Sequence, residues 1–202
     1  VEDVDAVPLE RVGPALEHHV AFPNRVNVEF IQILSRDRIK QRTWERGTGE
    51  TLACGSGACA VAVASMLRGR VDRAVVVFRL GVCRWQLSSI TTAIALFDEA
   101  LALAERTGLP CDLLRADILG WRSRCHRRQR DYVAASEDVE RALELAEGLG
   151  DRRAIANTYF QASLIAQRQG HYVLSRNYAQ RAKELYQELN DERNVGRLLL
   201  MF

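Results

Sequence analysis

The sequence predicts two architectures in one chain: an α+β N-terminal segment, with strands around a central helix, followed by an all-α array of helical repeats. Three observations carry that expectation. Thirteen of the eighteen valines lie in residues 1–78, whereas nineteen of the twenty-four leucines lie in residues 79–202. Branching at Cβ suits valine to strands, and leucine is a strong helix former. Val26, Val28 and Phe30 alternate with Asn27 and Glu29, the period of a half-buried strand. In the second part a segment recurs at offsets of 42 and then 40 residues, which marks a repeat architecture.

Bulk composition sets the bounds. The chain has 202 residues, 48% of them hydrophobic and 27% charged, with a formal net charge of +2. That balance excludes long disorder, a collagen-like chain and a polyanion-seeking basic protein. Charge is even in both parts, with ten basic and ten acidic groups in residues 1–78 and eighteen and sixteen in 79–202. No nucleic-acid partner is expected. No apolar run approaches the roughly 20 residues that span a bilayer, and the acidic start Val1-Glu2-Asp3-Val4-Asp5 lacks a signal-peptide pattern, so no membrane partner is expected either. Five cysteines, at 54, 59, 83, 111 and 125, suit reduced thiols in a cytoplasm better than a disulfide framework. No Cys-x-x-Cys or His/Cys spacing suggests a metal site.

The elements follow in order. Leu9–His19 reads as a helix, with Pro14 tolerable near a first turn. Phe22-Pro23-Asn24-Arg25 is a turn, and a strand begins at Val26. Its phase slips at Ile31 and Ile33, which predicts either a bulge or burial of both faces at that end. After Ser35-Arg36-Asp37, a second strand runs over Arg38–Glu45, and Gly47-Thr48-Gly49-Glu50 breaks the chain. Thr51–Cys59 opens into an Ala/Val helix that ends near Arg68-Gly69-Arg70. Val71–Phe78 is a third strand candidate, and residues 79–88 are a junction. Helices are then expected over Ile90–Thr107, Leu113–Arg128, Tyr132–Glu147, Ala154–Arg168 and Tyr172–Leu189, with a further helix starting at Asn194.

Cys54 is the chemically notable residue of the first part. It precedes Gly55-Ser56-Gly57, where a loop becomes a helix. Glycines there let a ligand approach the backbone, and first-turn amides can hold a carboxylate or phosphate. The same positive helix end favours thiolate, so Cys54 could act as nucleophile, redox thiol or proton-transfer base. An inert cysteine in a glycine-rich helix start is the alternative. Cys59 reads as packing, Glu50 as a cap on the following turn, and His18 and His19 as solvated helix-end residues.

The runs Phe22-Pro23-Asn24-Arg25-Val26-Asn27-Val28-Glu29-Phe30 and Trp44-Glu45-Arg46-Gly47-Thr48-Gly49-Glu50-Thr51-Leu52-Ala53-Cys54-Gly55-Ser56-Gly57-Ala58-Cys59 resemble diaminopimelate epimerase. The similarity is to part of the C-terminal half of that enzyme, over roughly residues 1–78. It implies a cofactor-independent isomerase that interconverts LL- and meso-diaminopimelate for lysine and peptidoglycan synthesis. In the family two cysteines face opposite sides of the α-carbon, one taking the proton and the other returning it. On that resemblance Cys54 is one of the pair and Glu45 supports catalysis. Asn27, Glu45 and Arg46 match positions that bind the substrate's charged ends, while Gly55 and Ser56 match the loop that holds the α-carboxylate. A carbanion beside a carboxylate needs dense, preorganised donors, which such a loop supplies. No second Cys-Gly-Asn-Gly-like string is present, so the chain on its own is expected not to invert the substrate.

The recurring segment reads Ala93–Glu105, Ala135–Glu147 and, more loosely, Ser175–Gln187. Small residues at Ala100, Ala142 and Ala182 let paired helices approach closely. These strings resemble the tetratricopeptide repeat over residues 89–202, with about three repeats, expected to be truncated at both ends. The resemblance implies a protein or peptide partner and no catalysis by the array. Arg122, Arg124, Arg127, Arg128 and Arg130 read as a solvated helix face diluted by nearby acids, and Trp85 and Trp121 as core. Two functional readings follow: an epimerase-like protein with an attached repeat array, and an interaction scaffold with a vestigial epimerase segment. A junction of two unrelated reading frames near Val77–Ser89 is a third.

Overall fold

The computed structural model describes residues 1–51, 55–106 and 111–200. Helix α1 (Leu9–Glu17) leads into a three-stranded antiparallel sheet, β1 (Val28–Ser35), β2 (Arg38–Glu45) and β3 (Gly49–Thr51), in that spatial order. The predicted second strand is found at its expected bounds. The glycine-rich break, by contrast, contributes a third strand, because Gly47 and Gly49 at φ 73° and 96° turn the chain back to pair Glu45 with Gly49 and Trp44 with Glu50. In β1 the register slips between Ile33 and Ser35, and residues 28–32 are half-buried on both faces.

Eight described helices follow: α2 (Gly55–Leu67), α3 (Arg73–Gln86), α4 (Ile90–Arg106), α5 (Asp112–Arg128), α6 (Tyr132–Leu149), α7 (Arg152–Arg168), α8 (Tyr172–Glu188) and α9 (Glu192–Leu199). The strand expected over Val71–Phe78 is not formed. Those residues start α3, which also takes in most of the expected junction. Tertiary packing overrides the β preference of Val75-Val76-Val77. Ala74, Val75, Val77, Phe78, Gly81 and Val82 are buried, at the 3–4-residue spacing of a helix face.

Helix α3 is the first helix of the repeat array. Gly81, Ser123 and Ser163 stand 42 and 40 residues apart, and so do Phe97, Val139 and Ala179 on the paired helices. The turns between paired helices repeat as well: Ser88, Arg130 and Gly170 occupy equivalent positions and all have positive φ, at 61°, 65° and 82°. Between repeats, Gly150 and Asn190 take the left-handed conformation that ends a helix, and Asp151 and Asp191 then cap the next one. Three helical hairpins, α3–α4, α5–α6 and α7–α8, thus stack in series, with α9 packed on α8.

One buried cluster runs from Ala62 of α2 through Val75, Phe78 and Val82 of α3 to Phe97, Ile118 and Ala142 in the array. The hairpin tip between β1 and β2 is fastened to the start of α3. Arg36 donates to Asp72 Oδ1 from Nε at 3.0 Å and Nη2 at 2.7 Å, and the Asp72 amide donates to the Arg36 carbonyl at 2.8 Å.

Candidate functional site

The sheet presents two chemically different faces because successive side chains alternate. On one face Trp44 packs toward α1. Its indole donates to Glu17 Oε2 at 2.8 Å, and the Gly47 amide donates to Glu17 Oε1 at 3.0 Å. These donors hold the buried Glu17 carboxyl below its ordinary value, the Trp44 bond contributing most. Arg42 donates to three carbonyls of residues 4–7 and makes a two-pronged ion pair with Glu50, at 2.7 and 2.9 Å. Glu50, expected as a turn cap, is therefore committed to Arg42.

The other face carries Ile39, Gln41 and Thr43 of β2 and Thr51 of β3, and it looks into a cavity of about 320 Å³. The remaining walls are α2, α3 and α5, with Gly55, Arg79, Cys83, Gln86 and Asp117 at the lining. Glu29 pairs in register with Thr43, so it shares this face; burial pushes its carboxyl up, and the nearby Glu45 adds to the shift.

Three of the predicted site residues, Asn27, Glu45 and Arg46, meet at the turn between β2 and β3. The Arg46 amide donates to Asn27 Oδ1 at 2.9 Å, and the Arg46 guanidinium donates to the Asn24 carbonyl at 3.0 Å. Glu45 Oε1 accepts from the Thr51 hydroxyl at 2.6 Å. Gly55 and Ser56 form the first turn of α2. A β-carbon on Gly55 would lie 2.6 Å from Gln86 Oε1, so a larger residue there would have to displace the end of the Gln86 side chain. Cys54 lies outside the described residues. Sequence reasoning missed Gln41, Thr43, Thr51 and Gln86. The two-residue period of Ile39, Gln41, Thr43 and Glu45 could have placed Gln41 and Thr43 on the site face, whereas Gln86 ends α3 in the stretch expected to be a junction.

The flanking expectations divide. His18 Nδ1 lies 3.0 Å from the Pro14 carbonyl, at the exposed end of α1. Trp85 and Trp121 meet edge to face at 5.2 Å and pack against the main buried cluster. The arginines of α5 are not simply a solvated face. Arg122 grips the buried Asp138 at 2.9 and 2.6 Å and reaches Asp98 at 2.5 Å, while Arg124 stacks on Trp121 at 4.3 Å. Among the described residues, no cluster of three or more His, Cys, Asp or Glu is placed to hold a metal ion, and no helix is long and apolar enough to cross a membrane.

The family model for diaminopimelate epimerase matches residues 1–98, and that for the tetratricopeptide repeat matches residues 114–188. Over 73 residues the chain is 66% identical to diaminopimelate epimerase 1 of Nostoc sp. strain PCC 7120, covering 36% of this chain and 26% of the relative. It is 60% identical over 77 residues to the diaminopimelate epimerase of Moorella thermoacetica, covering 38% and 28%. The N-terminal part is epimerase-like. The chain therefore pairs an isomerase-related segment with tetratricopeptide repeats, as the sequence predicts. The first match is N-terminal in this chain and runs to residue 98, past the expected limit of 78 and into α4, which corrects its expected position. The chain spans about a quarter of the length of these curated relatives, 26% and 28%. Its fold is similar to the crystal structure of BtubC (BKLC) from P. vanneervenii, with a TM-score of 0.56 at 19% identity, over 71% of this chain and 58% of that one.

Proposed function

We propose that the N-terminal part carries a portion of an active site for inversion at the α-carbon of diaminopimelate, with Cys54 and Glu45 as its catalytic residues. The observation that supports this best is the bond of Asn27 to the Arg46 amide and that of Glu45 to Thr51, which lines the cavity together with Gly55 of α2. Arg46 is exposed, with its backbone amide held by Asn27 and its Nη1 on the Asn24 carbonyl, and its guanidinium is the group we assign to a substrate carboxylate. Gly55 and Ser56 offer first-turn amides to the α-carboxylate. The Cys54 thiolate takes the α-proton, and the electron pair left on carbon is stabilised through the carboxylate by those donors. No cofactor enters this scheme. Inversion requires a second thiol that returns a proton on the opposite face, and the chain alone lacks it. The reading places the chain in the cytoplasm, where thiols are mostly reduced and disulfides are transient. The expected boundary, a junction at residues 79–88, falls within and just after α3, and we set the division instead at Asp72–Arg73, where that helix begins.

Binding tests this directly. Ligand-observed NMR should detect meso-diaminopimelate on the whole chain, and Arg46→Ala should weaken it about tenfold, the value of a charge-assisted hydrogen bond. No binding to the unaltered chain would contradict the proposal. A second reading, an interaction scaffold for a protein or peptide, is favoured by the three stacked hairpins. A partner held equally by the chain and by Cys54→Ala, with no diaminopimelate binding, would favour the scaffold.

A further inference from the structure

Two cysteines outside the proposed catalytic set face each other across the seam between the parts. Cys59 lies on α2 and Cys83 on α3, and their sulfurs are 3.0 Å apart, closer than ordinary sulfur–sulfur contact and about 1 Å beyond a bonded pair. Both are half-buried free thiols. Cys83 also lies 3.2 Å from the Gly55 carbonyl and lines the cavity, whereas Cys59 does not line it. The two helices are held together by buried Ala62, Val75 and Val82, so the thiols meet as a consequence of packing and not of a mobile loop.

We propose that Cys59 and Cys83 form a reversible disulfide that ties the N-terminal end of α2 to the first helix of the repeat array. The chemistry is thiol–disulfide exchange with a small disulfide such as glutathione disulfide. Cys83, which the cavity exposes, loses its proton to solvent and attacks one sulfur of the small disulfide. That sulfur–sulfur bond breaks, and one glutathione thiolate leaves and is protonated. Cys59 then attacks the Cys83 sulfur of the mixed disulfide, loses its proton, and releases the second glutathione as thiol. The protein dithiol is oxidised by two electrons and the small disulfide is reduced to two thiols. Burial and the neighbouring Cys83 push the Cys59 thiol up to about 12, which fits it to the second, intramolecular step and not to the first. The crosslink would bind the turn that starts at Gly55, next to Cys54, to α3, and so join the two parts covalently. The inference does not depend on any turnover of diaminopimelate.

The test equilibrates the whole chain, natively folded, with glutathione disulfide, quenches it in acid, blocks remaining thiols with N-ethylmaleimide under denaturing conditions, and maps non-reduced peptides by mass spectrometry. The expected result is loss of two blockable thiols and a linked peptide joining Cys59 to Cys83, both reversed by dithiothreitol. In Cys59→Ser a glutathione adduct should accumulate on Cys83. In Cys83→Ser the linked peptide should be absent and Cys59 should remain unmodified. Full blocking of both cysteines in the unaltered chain, or a linkage from either one to Cys54 in place of the other, would overturn the proposal.

Discussion

Gly13 has no room for a β-carbon, since the Trp44 indole would lie 2.3 Å from it. That contact brings α1 onto β2 and lets Glu17, one turn further on, receive the indole N–H. Gly13→Ala should therefore destabilise the N-terminal part, although alanine is the better helix former by about 1 kcal/mol. Chemical denaturation should show a loss, and a gain would refute the packing argument. Glu17 adds a dependence on pH. Its carboxyl is held below its unfolded value, so its stabilisation is present above the ordinary carboxylate range and fades as pH falls through the folded value. Glu17→Gln should flatten that acid limb, as followed by denaturation at pH 7 and about pH 3. None of this was legible in the sequence, because Glu17 and Trp44 lie 27 residues apart and only the fold joins them. The Asn27, Glu45 and Arg46 group was legible, because the residues occur in short continuous strings whose order resembles a known family.

Helix α3 shows where sequence reasoning failed and what could have corrected it. A valine triplet after Arg68-Gly69-Arg70 reads locally as a strand, and only burial against α4 and α5 makes it helical. The signal was nonetheless present in the repeat: Gly81 stands where Ser123 and Ser163 stand, and it faces the larger Phe97 where those repeats have Val139 and Ala179. Volume is thus traded across the hairpin. A β-carbon at Gly81 would lie 2.6 Å from the Phe97 ring, so Gly81→Ser should cost about 1–3 kcal/mol. Combined with Phe97→Val, the cost should be less than the sum of the two single changes, as a double-mutant cycle by denaturation would read. The arginine run of α5 was misread for a related reason. Composition cannot reveal that Arg122 closes on the buried Asp138 of α6 and on Asp98 of α4. Asp138→Ala should cost about 3–5 kcal/mol, since it leaves a half-buried guanidinium without its main partner. A change below about 1 kcal/mol, the value of a surface pair, would show that the bridge is worth no more than that.

Across the whole molecule, the division of valine from leucine marks a real change of architecture, yet the core does not divide there. The buried cluster passes from α2 through α3 into the array, and the cavity takes walls from both parts. Truncation after residue 78, the limit suggested by sequence, would cut α3 in two and strip Phe97, Ile118 and Leu119 from Val75 and Phe78. A 1–78 fragment should therefore lack the sharp tertiary signals of the whole chain in near-ultraviolet circular dichroism and NMR, and a well-dispersed NMR spectrum from it would contradict the continuous core. The epimerase family match likewise runs on to residue 98, beyond the start of α3. The central claim is that the N-terminal part retains one half-reaction of an α-carbon inversion. Deuterium incorporation into LL- and meso-diaminopimelate in D2O, followed by mass spectrometry with the whole chain and with Cys54→Ala, tests it most directly. Cys54-dependent exchange of the α-proton without inversion is the expected result; an unlabelled α-carbon, or labelling unchanged in Cys54→Ala, would refute it.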